Sequence, residues 1–104
     1  MPTIAMVRKA PPDDYVFETL MPDLVGHDRA PSAFLVYLKL WHACGGPSRR
    51  GKGLSLTTLA VETGLSKSSV QSAVRRLDRR GLVTVRRASP TATPVYTVVA
   101  PWRR

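Results

Sequence analysis

The stretch LAVETGLSKSSVQSAVRRLDRRGLV, from Leu59 to Val83, constrains the fold more than any other part of the sequence. It carries two short helical patterns joined at one glycine. Gly64 sits where the chain must turn sharply between them, and glycine tolerates the left-handed backbone that such a turn needs. Ser55 and Ser66 stand at N-cap positions, where a hydroxyl oxygen accepts from the free N–H groups of a first helical turn. The spacing predicts a helix from Ser55 to about Thr63, with Leu59 and Ala60 facing inward. A following helix is expected from Ser66 through Arg80, closed by Gly81.

Elements on either side complete a domain. Ser32, after Pro31, is the expected N-cap of AFLVYLKLWHAC. Phe34, Leu35, Leu38 and Trp41 recur there at helical spacing, and Val36, Tyr37 and Leu40 widen the stripe, so this helix is expected to be mostly buried. Gly45, Gly46 and Pro47 stop it, and SRRGKG (Ser48 to Gly53) is expected to be a basic, glycine-rich loop. YVFETLMPDL (Tyr15 to Leu24) has the apolar content to dock on the domain as a strand or a short helix interrupted by Pro22. Residues 1–14, with three prolines and two aspartates, are expected to form a flexible arm. Downstream, LVTVRR alternates as a strand does, with Val83 and Val85 on one face, and VYTVV supplies a second strand after the proline-bearing loop ASPTATP. The order is helix, helix–turn–helix, β-hairpin. It predicts one mainly α domain over 15–104 with a small β-hairpin, a winged helix-turn-helix with a three-helix core plus wing.

Charge then narrows the partner. Residues 1–31 hold three basic and five acidic residues, whereas residues 32–104 hold 13 basic residues and only Glu62 and Asp78 as acids. The chain's net +9 therefore lies entirely beyond the first helix start, which points to a polyanion. On a helical wheel with Val70 at the centre, Ala73, Val74 and Leu77 form the buried stripe of the third helix. Ser68, Ser72, Arg75, Arg76 and Arg79 fall opposite, flanked by Lys67 and Gln71. Short hydroxyl and amide groups at the start of a helix let it approach base edges, where Gln pairs with adenine and Lys or Arg with guanine. Arginines further along reach phosphates, which set position rather than sequence. The bland alternative is a solvated face, with Arg75 paired to Asp78. The absence of balancing acids on that face weighs against it.

The same 25 residues resemble the helix-turn-helix of bacterial winged-helix regulators, the GntR-type among them, through Leu59, Ala60, Gly64, Leu65, Ser66, Val70, Ala73, Leu77, Gly81, Leu82 and Val83. A wider likeness, through PSAFLVYLKLWHAC and the segment before it, is to the helix-turn-helix domains of phage and plasmid replication proteins. The resemblance places Lys67, Ser68, Ser69, Gln71 and Ser72 against DNA at the start of the recognition helix. In the wing, SPTATP carries no charge at its tip, so phosphate contacts are expected instead from Arg86 and Arg87 at its base. Arg49, Arg50 and Lys52 of the basic loop are expected to grip the backbone as well. GntR-type regulators also carry a large effector domain. The sequence stops at Arg104, and no small-molecule effector is expected.

Other chemistry finds little support. His27, His42 and Cys44 lack the spacing of a zinc site, GGPSRRGKG lacks that of a phosphate loop, and no Ser–His–Asp set can be assembled. No enzyme, metal or cofactor is expected. A single cysteine fits a reducing compartment, and no apolar run reaches the ~20 residues of a membrane span. Trp102 is expected to pack across the domain rather than stack on a base, and Arg103 and Arg104 are either a phosphate-touching tail or a solvated end. The expectation is a cytoplasmic, nucleoid-associated bacterial or phage transcription regulator. It would bind double-stranded DNA sequence-specifically as a homodimer, without membrane association, and the apolar amino-terminal segment and first helix are the expected dimer surface. The alternatives are a replication initiator or accessory module, and a winged-helix module that docks an acidic protein.

Overall fold

The computed structural model describes residues 10–47 and 51–103. In chain order the helices are α1 (Pro31–Cys44), α2 (Leu56–Thr63) and α3 (Lys67–Arg79), and the strands are β1 (Lys52–Gly53), β2 (Val83–Arg86) and β3 (Val95–Val98). Two wide, π-type helical segments, Val16–Leu20 and Pro22–His27, precede α1. The strands form one antiparallel sheet in the order β1-β3-β2. This is a winged helix fold.

The turn chemistry of the motif is as its residues require. The Ser55 side chain accepts from the Thr58 N–H and that of Ser66 from the Ser69 N–H, which satisfies orphan donors at both helix starts. Gly64 turns the chain with φ of +79°. At the start of α1 the expectation fails. Pro31 takes the first helical position and Ala30 the cap, with no side-chain cap bond, so Ser32 lies in the first turn. Proline's missing N–H is one of the orphans in any case, and its fixed φ suits that position.

Helix α1 is the centre of the core. Ala33, Phe34, Val36, Tyr37, Leu40 and Trp41 are buried, while Leu35, expected in the stripe, remains 46 % exposed. Three surfaces cover α1. Val70, Ala73 and Leu77 of α3 meet it on one side, with Leu59 and Ala60 of α2 beside them. Tyr96 and Val98 of β3 close a second side, where the Tyr37 hydroxyl donates to the Val99 carbonyl at 2.9 Å. Burial raises the Tyr37 pKa strongly, so this hydroxyl stays a donor.

The amino-terminal segment covers the third side. Its ambiguous pattern resolves as helix, broken at Pro22, with Val16, Leu20 and Leu24 turned inward four residues apart. Met21 N–H bonds to the Val16 carbonyl and Asp28 N–H to that of Asp23, five residues back in each case. Pro22 opens the second segment, where its missing donor is least costly. Residues 1–9 of the expected flexible arm lie outside the described residues. Residues 10–14 are held: Trp41 Nε1 donates to the Ala10 carbonyl at 2.8 Å, and Trp102 Nε1 to Asp13 at 2.8 Å. Trp102 packs across the domain, stacked on Tyr15 at 4.4 Å between ring centroids and parallel to Trp41 at 6.5 Å. Arg103 forms a two-bond pair with Asp13, at 2.9 and 2.7 Å.

The wing is larger than a hairpin. Strands β2 and β3 pair as expected, Val83 opposite Val98 and Val85 opposite Tyr96. Lys52 and Gly53, expected in a loop, instead pair with Tyr96 and Val95 on the other edge of β3. Gly51 permits that approach. A Cβ there would stand 2.6 Å from a Val95 methyl and 2.8 Å from the Thr97 hydroxyl, closer than a side chain can come. Two residues give no period-2 pattern, which is why the strand escapes a sequence reading.

The turn of the motif gives a direct test. No atom lies within 4 Å of a Cβ built on Gly64, so the cost of Gly64→Ala comes only from its left-handed backbone. The expected loss is about 1–2 kcal/mol, to be read from the thermal midpoint.

Candidate nucleic-acid interface

Helix α3 has two unlike faces. Val70, Ala73 and Leu77 are buried, whereas Lys67, Ser68, Gln71, Ser72, Arg75 and Arg79 are exposed. The first turn is ordered by its cap. Ser66 Oγ lies 3.2 Å from the Ser68 hydroxyl and donates to that of Ser69 at 2.9 Å. Ser69 is therefore half-buried and engaged locally, and the outward face of this turn consists of Lys67, Ser68, Gln71 and Ser72.

The exposed face of α3 runs between two hollows. On the wing side, Leu56, Gln71, Val74, Arg75, Val85, Arg87 and Tyr96 line a small one of about 150 Å³. On the α1 side, Arg29, Ala30, Pro31, Ser32, Ser72, Ala73, Arg75, Arg76 and Arg79 line a larger one of about 370 Å³. Arg75 borders both. Arg29, which at the level of sequence enters only the charge balance, thus joins three arginines of α3. Its position directly before a helix-starting Ala-Pro pair is the one sequence signal that it would face this way.

The structure does not treat the arginines alike. Arg75 and Arg79 have no ion-pair partner among the described residues, and Asp78 does not pair with Arg75. Arg76 lies 3.5 Å from Asp28, and Arg80 pairs with both Asp28, at 2.8 Å, and Asp23. The expectation that no acid balances this helix is corrected here. The acids come from the amino-terminal segment, some fifty residues away in sequence, and meet the flank of α3 that turns toward it.

Asp28 is the hub of this network, its side chain only 6 % exposed. A hydrogen bond from His27 Nδ1, at 2.9 Å, holds its carboxyl below the ordinary value, with Arg80 and Arg76 acting in the same sense against burial. Asp23, His27 and Asp28 bring potential metal-ligand atoms within 4.8 Å of one another. The guanidinium groups of Arg76 and Arg80 already lie on these carboxylates, so the arrangement is that of an ion-pair network rather than a dication site.

The remaining predicted contacts are more dispersed. Arg86 and Arg87 are exposed at the base of the wing, with Arg87 Nη1 3.5 Å from the Ala92 carbonyl. Lys52 is exposed on β1, which β3 separates from β2. Arg49 and Arg50 lie outside the described residues. Cys44, free and half-buried, has its thiol 3.4 Å from the Tyr96 carbonyl, and burial raises its pKa.

The model of the MarR family matches residues 48–92, a stretch that takes in β1, α2, α3 and β2 and ends between β2 and β3. The match supports a winged helix-turn-helix DNA-binding domain with a transcription-regulator-like role. The family matched is not the GntR-type that the motif resembles. No curated protein and no solved structure matches the chain. No helix among the described residues is long and apolar enough to cross a membrane.

The Asp28 network predicts a definite pH dependence. A carboxyl depressed in the folded state contributes stability above its unfolded value, about 3.9, and loses it as pH falls through the folded value. Asp28→Asn is expected to cost about 1–3 kcal/mol at neutral pH, as for a hydrogen bond to a charged group. The gap to the parent protein should close below about pH 4 in thermal scans. A gap that stays constant across this range would contradict the assignment.

Proposed function

We propose that the protein binds double-stranded DNA sequence-specifically as a bacterial or phage transcription regulator acting at the nucleoid, with residues 66–80 as the recognition helix. The observation that carries this reading is the exposed face of α3. It begins with Lys67, Ser68, Gln71 and Ser72, continues to the unpaired Arg75 and Arg79, and is bordered on each side by an arginine-rimmed hollow. A helix in the major groove is itself bordered by two phosphate strands, so cations on both flanks match the shape and sign of that partner. Gln71 and Lys67 then read base edges, while Arg75, Arg79 and Arg87 hold phosphates.

The domain is small, measuring 39 × 34 × 28 Å. Tight, specific binding by so small a footprint calls for a dimer on a two-fold site, with half-sites about one helical turn apart. The amino-terminal segment and α1 offer less of a dimer surface than their composition suggests. Most of their apolar residues are buried in the protomer's own core, and Tyr15, Phe17, Val25 and Leu35 are the large ones that remain exposed there. Light scattering at micromolar concentration should give a dimeric mass with DNA. A monomeric mass, unchanged by DNA, would count against this part of the reading.

The decisive experiment is binding to a mixed-sequence duplex at two salt concentrations, followed by competition against genomic fragments. Tight, salt-sensitive binding with one preferred fragment is expected. A fragment beside controlled operons fits a regulator, whereas one at an origin of replication would favour the replication-module alternative. Replacing Arg75 and Arg79 by Gln should flatten the salt slope by about 0.9 for each phosphate no longer held. Gln71→Ala should instead narrow the preference for the best fragment, by about 1–3 kcal/mol, and leave binding to unrelated duplex largely intact. No binding at low salt would sink the DNA reading in favour of an acidic protein partner.

A further inference from the structure

The hollow between the start of α1 and the second half of α3 is more basic than a solvated helix face requires. Four arginines, Arg29, Arg75, Arg76 and Arg79, line it, and no acidic residue among those described does. Among the described residues only Arg76 has an acidic partner, Asp28 at 3.5 Å. The other three place like charges around one space with no acidic partner among the described residues, an arrangement that a bound anion relieves. Ser32 and Ser72 add hydroxyl groups to the same wall. Because Ala30 takes the cap position and no cap bond forms, the Ser32 hydroxyl is left available to the hollow. The lining thus offers polar N–H and O–H donors, which suits the oxygens of a phosphodiester. Its volume of about 370 Å³ is roughly that of a dozen water molecules, and it opens to solvent beside the recognition face.

We propose that this hollow seats a backbone phosphate of bound DNA, and that Arg29 anchors the strand bordering α3 on the α1 side. The inference rests on the DNA-binding reading above and deepens it with a contact from outside the helix-turn-helix and wing. The two hollows divide the work. The wing-side one has an apolar floor of Leu56, Val74 and Val85 with Arg75 and Arg87 at its edge. The α1-side one carries the greater charge and sets the register of the second strand. It couples the fold's central helix to DNA, because Ser32 lies in the first turn of α1 and Arg29 just before its cap, both outside the motif.

Arg29 provides a test that separates binding from folding. It is the one non-glycine residue among those described with a left-handed backbone, at φ of +53°. Glycine adopts that conformation without strain, so Arg29→Gly is expected to hold or raise the thermal midpoint. The same variant should bind a mixed-sequence duplex several-fold more weakly near ~0.15 M salt, with the slope of log K against log salt reduced by about 0.9. The loss should be equal on preferred and unrelated duplexes, since a phosphate contact carries no sequence. Arg79→Gln, on the opposite wall, should show the same signature, and the double variant should lose about twice the slope. If the parent protein binds with a steep salt slope and Arg29→Gly binds with that same slope, the phosphate seat is wrong while the DNA reading stands. If the parent protein shows no salt-dependent binding at all, the DNA reading fails and the seat falls with it.

Discussion

The burial of α1 is the constraint on which the rest of the structure depends. A chain of this size supports one core, and nearly all of α1's apolar surface is committed to it. The sheet, α3 and the amino-terminal segment are each placed by the side of α1 that they cover. Tyr37 and Trp41 tie the arrangement together because their large rings must be enclosed while their polar ends find partners. They do so in the Val99 and Ala10 carbonyls, at opposite ends of the chain. The two ends are then drawn into one aromatic and ionic cluster, where Tyr15, Trp102 and Trp41 lie in near-parallel layers and Asp13 holds Arg103.

Once α3 is held against α1 by Val70, Ala73 and Leu77, its orientation decides which charges are free. Arg76 and Arg80 leave the helix on the flank facing the amino-terminal segment and are met there by Asp23 and Asp28. Arg75 and Arg79 leave it outward and meet no acidic partner among the described residues. Neutralising one flank concentrates the remaining positive field on the face that begins with Ser68 and Gln71. The acidic amino-terminal third is therefore part of the electrostatics of this candidate interface: Asp23 and Asp28 neutralise the flank of α3 that faces them. Isolated surface ion pairs contribute little to stability, but a nearly buried carboxylate shared by His27, Arg76 and Arg80 is a network.

Much of the site is legible in residue order because its determinants are local. Ser55, Ser66 and Gly64 act within one helical turn of themselves, and they do in the structure what their chemistry requires. The period of Val70, Ala73 and Leu77 divides α3 into an inner and an outer face with no knowledge of what it packs against. Where residue order misleads, a competing local choice or a distant partner is responsible. Ser32 yields the cap to Ala30 because Pro31 already fits the first helical position. Lys52 becomes a strand residue because β3 offers an unpaired edge and Gly51 lets the backbones meet.

By itself, the sequence determined the helix–turn–helix, the β2–β3 hairpin of the wing, most of the buried stripe of α1 and the segregation of charge, all of which follow from spacings of a few residues. Tertiary structure alone decided that Arg76 and Arg80 face aspartates about fifty residues away, that Trp102 closes over Tyr15 and Trp41, and that Arg29 joins Arg75 and Arg79 around one hollow. Each of these brings together groups with no fixed relation along the chain. Their separation is set by how helices and sheet pack, and electrostatic and aromatic contacts depend on that distance rather than on sequence order.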